Sequence, residues 1–149
     1  MSSTGRAPRS CRAITLNTPA QITGLLVPNS AAATISGVGG GLYVANVDID
    51  GASFDNVPLT IDGVLTRFDN VTFQNMNPAA TQLTVSHPGA ASAFTFDGLN
   101  FLTAPTTRFY VSANDNAADA NTLSITFTNA TPSSASPYVA TSGGAIVTW

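Results

Sequence analysis

The chain has 149 residues, of which 44% are hydrophobic and only 9% charged, with a formal net charge of −3. Its length and apolar fraction suit one domain with its own core, while the charged fraction lies far below the usual quarter. It contains no Lys and no Glu, and from residue 13 onward eight Asp face only Arg67 and Arg108, a balance of 2 − 8 = −6. An acidic body of this kind excludes nucleic acid as a partner, because phosphates demand a basic footprint. The single cysteine, Cys11, excludes an internal disulfide. No apolar run reaches the length needed to span a bilayer. Thr, Val, Asn, Ser and Gly abound while most strong helix formers are missing, which favours strands and turns.

Residues 1–12 carry Arg6, Arg9 and Arg12 without the apolar stretch that follows the arginines of a signal peptide. They read as a disordered leader or a non-native start, and the fold is expected in 13–149 as a single domain. The expected location is the extracellular space or the cell surface, for a mature export substrate whose signal has been removed.

The first recurring element is 22–28 (ITGLLVP), followed by 51–58 (GASFDNVP), 70–78 (NVTFQNMNP), 98–105 (GLNFLTAP) and 124–132 (SITFTNATP). Each ends in proline, which has no N–H to give to a ladder and belongs at a strand end. In the last four a phenylalanine stands four or five residues before the proline: Phe54, Phe73, Phe101 and Phe127. A second series, Ile35-Ser36, Ile61-Asp62, Val85-Ser86, Val111-Ser112 and Val139-Ala140, recurs in steps of 26, 24, 26 and 28 residues. Two series that share one period mark a solenoid.

Within each period a short strand (ATIS, LTID, LTVS, FYVS, YVAT) leads into a turn of variable length, such as GVGGG, HPGAAS or ANDNAADAN. A longer strand region follows. Its alternation, as in Val71-Thr72-Phe73 and Ile125-Thr126-Phe127, implies one buried and one solvated face. Asp50-Gly51, Asp69-Asn70 and Asp97-Gly98 each follow an apolar residue (Ile49, Phe68, Phe96), and a phenylalanine comes five positions after it. Gly and Asn tolerate positive φ and Asp bonds the local backbone, so the sequence writes a corner between two strands in three consecutive periods.

The expected fold is all-β: a right-handed parallel β-helix (a β-solenoid) of about five coils stacked roughly 4.8 Å apart, its hand taken from the bias of parallel crossovers. Phe54, Phe73, Phe101 and Phe127 would form one internal stack, flanked by aliphatic rows through Ile61, Val85 and Val111. An antiparallel β-sandwich or jelly roll is the alternative, but it does not account for the shared period.

The strings FDNVTFQNMNP and LSITFTNATP resemble coils of the right-handed parallel β-helix proteins of the pectate-lyase-like superfamily, and the resemblance covers most of residues 14–149. It implies a setting among passenger domains, adhesins, phage-tail fibres, pectin and alginate lyases and some glycosidases. The chain departs from that pattern in being short and in lacking an N-terminal capping helix, and so resembles a C-terminal piece of a longer solenoid. Fold by itself does not assign function.

The candidate site residues are few. Asp50, Asp69 and Asp97 occupy equivalent corners and, stacked in register, would lie roughly 5 Å apart. Carboxylates at such separations serve glycoside hydrolysis, whereas the plainer reading is that each shapes its own turn. His87, the only histidine, begins a turn before Pro88-Gly89. It would serve as a base with a ladder acid, but no G-x-S-x-G elbow accompanies it, and the plainer reading is an exposed turn histidine. Arg67 and Arg108 are the only cations available to a lyase, and neither sits in a lyase motif. The loop from Asn114 to Asp119 offers hard oxygen ligands, so Asp115 and Asp119 are the candidate metal ligands and calcium the candidate ion. No EF-hand or G-G-x-G-x-D pattern supports them. Tyr43, Tyr110, Tyr138 and Trp149 are candidates for stacking on sugars, with Trp149 equally readable as an end cap. Asn70-Val71-Thr72 and Asn129-Ala130-Thr131 match the glycosylation sequon.

Three functions follow as expectations. The first is a structural or adhesive module of an exported or surface protein that touches glycans. The second is a small hydrolase or lyase acting on a polysaccharide or ester through the aspartate ladder with His87. The third is a homo-oligomer joined through open solenoid edges, since unpaired strands template association.

Overall fold

The computed structural model describes residues 13–16, 20–22, 25–27, 33–37, 41–86, 93–115, 122–134 and 138–149. Among them are thirteen strands and no helix. Every ladder between these strands is parallel. The antiparallel pairs that a sandwich or jelly roll requires are absent among the described residues. The arrangement is all-β, mostly parallel and compatible with a β-solenoid.

Two long strands organise it, β5 (Leu42–Asp55) and β6 (Leu59–Gln74). Neither runs straight. In β5 the buried positions step by two from Leu42 to Val44, by three to Val47, by two to Ile49, by three to Ala52 and by two to Phe54. Side chains alternate with a period of two, so each odd step turns the inward face through a corner. Each long strand thus passes along three flanks of one core, and the remaining strands extend these flanks.

The first flank carries β2 (Ala20–Ile22), the starts of β5 and β6, β7 (Leu83–Ser86), β10 (Val111–Asn114) and β12 (Val139–Ser142). Leu42, Leu59, Leu83, Val111 and Val139 share one row, and Val44, Ile61, Val85 and Ala113 share the next. The second flank carries β3 (Leu25–Val27) and the middles of β5 and β6. It continues as a separate three-stranded sheet of β8 (Ala93–Asp97), β11 (Ser124–Thr128) and β13 (Ile146–Thr148). The third flank carries β1 (Ala13–Leu16), β4 (Ala33–Gly37), the ends of β5 and β6, and β9 (Asn100–Phe101).

The core is apolar and rich in phenylalanine. Ile35, Phe54, Phe73 and Phe101 form a row on the third flank by register. Phe73 lies 5.3 Å from Phe54 and 5.1 Å from Phe101, stacked on both. The expected fourth member, Phe127, belongs elsewhere. It pairs with Phe96 on the second flank, where Ile49, Phe68, Phe96 and Phe127 follow one another. Likewise Ile35 pairs with Phe54 rather than joining the row of Ile61 and Val85, and Val111 stands opposite Leu83, two residues from the expected Val85. A shift of two keeps every side chain on its face, so spacing alone does not distinguish the two registers.

The strand order of the first flank ends at β12 and that of the second at β13. The indole of Trp149 lies over the neighbouring core, stacked on Phe127 at 4.5 Å and tilted against Phe101 at 5.5 Å. Its Nε1 donates to the Pro132 carbonyl at 2.8 Å.

Candidate functional site

The corner between the second and third flanks is where the predicted aspartate ladder lies. Its local geometry follows from a backbone requirement. Gly51, Asn70, Gly98 and Asn129 all take positive φ, of 92°, 53°, 69° and 51°. Only Gly, and Asn or Asp among the rest, adopts this region readily. The preceding residues, Asp50, Asp69, Asp97 and Thr128, are therefore held in equivalent places. Asp50 stands opposite Asp69 and Asp97 opposite Thr128 in the ladders.

The carboxylates bond from one layer to the next. Asp50 Oδ1 accepts a hydrogen bond from Asn70 Nδ2 at 2.8 Å. Asp69 Oδ1 accepts the backbone N–H of Asp97 at 3.0 Å. Asp97 Oδ1 accepts from Thr128 Oγ1 and from Asn129 Nδ2, each at 2.7 Å. Bonds from Thr128 and then Asn129 hold the exposed Asp97 carboxyl below the usual aspartate range, with slight desolvation opposing them. A carboxyl kept ionised in this way is poorly suited to be the general acid of a glycosidase, which needs a raised pKa.

A second column runs beside the first. Arg67 Nε reaches Asp48 Oδ1 at 3.0 Å, and its Nη1 lies 3.6 Å from Asp50 Oδ2. The pair is about one-third exposed, so solvent screening leaves it worth at most ~1 kcal/mol. Arg108, the other cation from residue 13 onward, is exposed in the segment before β10.

At the next corner Asn56 and Asn75 again take positive φ, 57° and 51°. Asp55 accepts from Asn75 Nδ2 at 3.0 Å and from Gln74 Nε2 at 3.4 Å. Asn56 Nδ2 donates to the Gly37 carbonyl at 3.2 Å. Sequence reading did not find this second clasp, nor the Asp48–Arg67 pair. Both were marked by the 19-residue separation that joins Phe54 to Phe73, since Asp48 to Arg67 and Asp55 to Gln74 repeat it.

Of the remaining catalytic and metal-ligand candidates, Asp115 is among the described residues. His87 and Asp119 lie outside the described residues. Asp115 Oδ2 accepts the Leu123 N–H at 2.9 Å, holding together the two ends of the loop between them. Asn114 stands in a hydroxyl–amide column, donating to Ser86 Oγ at 3.4 Å and accepting from Ser142 Oγ at 2.7 Å. Among the described residues no three His, Cys, Asp or Glu side chains are grouped to hold a metal ion.

Of the aromatic candidates, Tyr43 is 49% exposed on the first flank, whereas Tyr110 is buried and meets Tyr138 edge-on at 6.0 Å. Burial, and secondarily the phenol of Tyr138, pushes the Tyr110 hydroxyl up from its ordinary value. The sequon residues Asn70 and Asn129 have their amides engaged on Asp50 and Asp97.

No protein-family model matches the chain, and neither the curated proteins nor the solved structures yield a match to it. Among the described residues no helix is long and apolar enough to cross a membrane.

Proposed function

We propose that the chain is a structural or adhesive β-solenoid module of an exported or cell-surface protein, built as a right-handed parallel β-helix of about five coils like those of the pectate-lyase-like superfamily. Its partner class is a neutral glycan, met along the Ser- and Thr-rich outer rows of the flanks. One observation supports this reading above the enzymatic one. The acids of the corner ladder are spent on holding layers together, since Asp50, Asp69 and Asp97 each accept a hydrogen bond from the following layer. A catalytic dyad instead needs two carboxyls facing a shared space for the substrate.

The deciding experiment is a turnover assay of the wild type on a broad panel of glycans and esters, with binding measured on the same panel. Saturable glycan binding without turnover is the expected outcome. Turnover that disappears in Asp69→Asn with folding unchanged would overturn this reading and put the hydrolase or lyase in its place, with His87 as the partner to test next.

A second reading rests on the ladders. Among the described residues strands β12 and β13 each pair on one side only, and such edges invite a further strand. Homo-oligomers joined through them are the consequence. Light scattering over a wide concentration range tests this, and a monomer at every concentration rejects it.

A further inference from the structure

The second flank is laddered above and below one break. Between β5 and β6 the pairing there runs Val47 with Leu65, Asp48 with Arg67, Ile49 with Phe68 and Asp50 with Asp69. Below, β8 pairs with β11 over five residues and β11 with β13 over three. Strands β6 and β8 are neighbours on this flank but form no ladder, and the sheet divides between them into ten strands and three. The other two flanks are continuous across the same level, through β6–β7 and β6–β9.

Side-chain contacts cross the break. Phe68 meets Phe96 edge-on, with centroids 5.3 Å apart. The Asp69 carboxylate takes the Asp97 N–H at 3.0 Å, where a ladder would offer a main-chain carbonyl. Asn70 lies against Gly98, so that a Cβ on Gly98 would sit 2.7 Å from Asn70 Oδ1. Immediately beyond, the chain is tied back into its own sheet: the Gly98 N–H donates to the Thr128 carbonyl at 2.9 Å. The charged groups around the break are Arg67, Asp48 and Asp50 above it and Asp69 and Asp97 across it, while Thr128 and Asn129 on the β11 side are neutral.

We propose that this break is a joint built into the fold, at which the β8–β11–β13 sheet parts from β6 as a unit while the first and third flanks stay laddered. A parallel ladder spreads the connection over several backbone bonds. Here no ladder joins β6 to β8, and the contacts that cross include the Asp69–Asp97 bond, the Phe68–Phe96 pair and the approach of Asn70 to Gly98; local opening is drawn from segments with few backbone links. Its consequence is conformational: the later layers tilt on the earlier ones without unfolding either.

The test is residue-resolved hydrogen exchange on the full chain, using adjacent amides that bond across opposite sides of β8. The Asp97 amide bonds across the joint, the Gly98 amide bonds within the lower sheet, and the Leu59 amide bonds to the Gln82 carbonyl on the continuous first flank. The expected result is an Asp97 amide exchanging roughly tenfold or more faster than the Gly98 and Leu59 amides, the gap of about 1.4 kcal/mol that one charged hydrogen bond supplies. Asp69→Ala should widen the gap between Asp97 and Gly98, and Asp69→Asn, which keeps an acceptor, should widen it less. Equal protection of Asp97 and Gly98 in the wild type overturns the proposal even if neither variant folds. A uniform loss of protection in Asp69→Ala does so as well, because it would place Asp69 in global stability rather than at a joint.

Discussion

The ring of Phe73 lies on that of Phe101 with centroids 5.1 Å apart and planes 2° from parallel, although 28 residues separate them. Phe54 stacks on the opposite face of Phe73, and all three are buried. Phe73 is therefore the middle of a column that ties three layers together, and it carries both apolar area and ring–ring contact.

Replacing Phe73 by Ala should cost ~3–5 kcal/mol, as large-to-small changes in cores do. Phe73→Leu should cost less, because most of the volume is retained. Equilibrium denaturation of the folded chain measures both. A loss below ~1 kcal/mol for Phe73→Ala would show that the column is not packed as described.

The corner glycine gives a second test. Gly98 has φ of 69°, and its missing side chain faces Asn70 Oδ1. Gly98→Ala should destabilise by ~1–2 kcal/mol, the cost of a left-handed non-glycine residue. Part of that cost comes from the end of a flexible side chain, so Asn70→Ser should recover some of it. A double-mutant cycle measures the recovery, and strict additivity would mean that the two residues do not meet.

Acid sensitivity follows from Asp97. Its carboxyl is held below the ordinary 3.8 by Thr128 and Asn129. The folded state thus binds the proton less readily than the unfolded chain. The associated stability is fully present above the unfolded value and drains away as pH falls through the lowered folded value. Asp97→Asn should therefore be less stable than the wild type at neutral pH, and the difference should shrink on acidification below about pH 4. Thermal unfolding at a series of pH values reads this directly. A constant difference down to the acid limit would assign the effect to something other than the ionised carboxylate.

Trp149 is the only tryptophan, so its environment can be followed without interference. Stacked on Phe127 and bonded to the Pro132 carbonyl, it should emit at shorter wavelength than the unfolded chain. Trp149→Ala should cost roughly 1–3 kcal/mol through exposed core and the lost aromatic contact. Trp149→Phe should keep most of the stacking and lose the hydrogen bond. An emission maximum unchanged on unfolding would place the indole in water.

The sequence by itself determined the strands, the corners and the parallel repeat. Alternation of apolar and polar residues is a local consequence of the strand period, and the Asp-Gly and Asp-Asn corners are local backbone chemistry. Their recurrence marked the layering before any contact was known. What it left open was register. Two phenylalanine rows, one before each corner and one after it, are both buried, and the layers differ in length, with 19 residues from Phe54 to Phe73 and 28 from Phe73 to Phe101. Counting back from proline therefore put Phe127 in the wrong row. The discriminating mark was Phe127-Thr128-Asn129, which repeats Phe68-Asp69-Asn70 with a threonine in place of the acid. The same uncertainty hid the partners of the aspartates. Only the packed layers decide that Asp97 meets Thr128 and Asn129, or that Arg67 lies between Asp48 and Asp50. Those contacts join residues about 20 to 30 positions apart, and loops of variable length set which layer faces which. The physical reason is that strand chemistry is written in neighbouring residues, whereas the use of a carboxylate is settled by what the next layer brings against it.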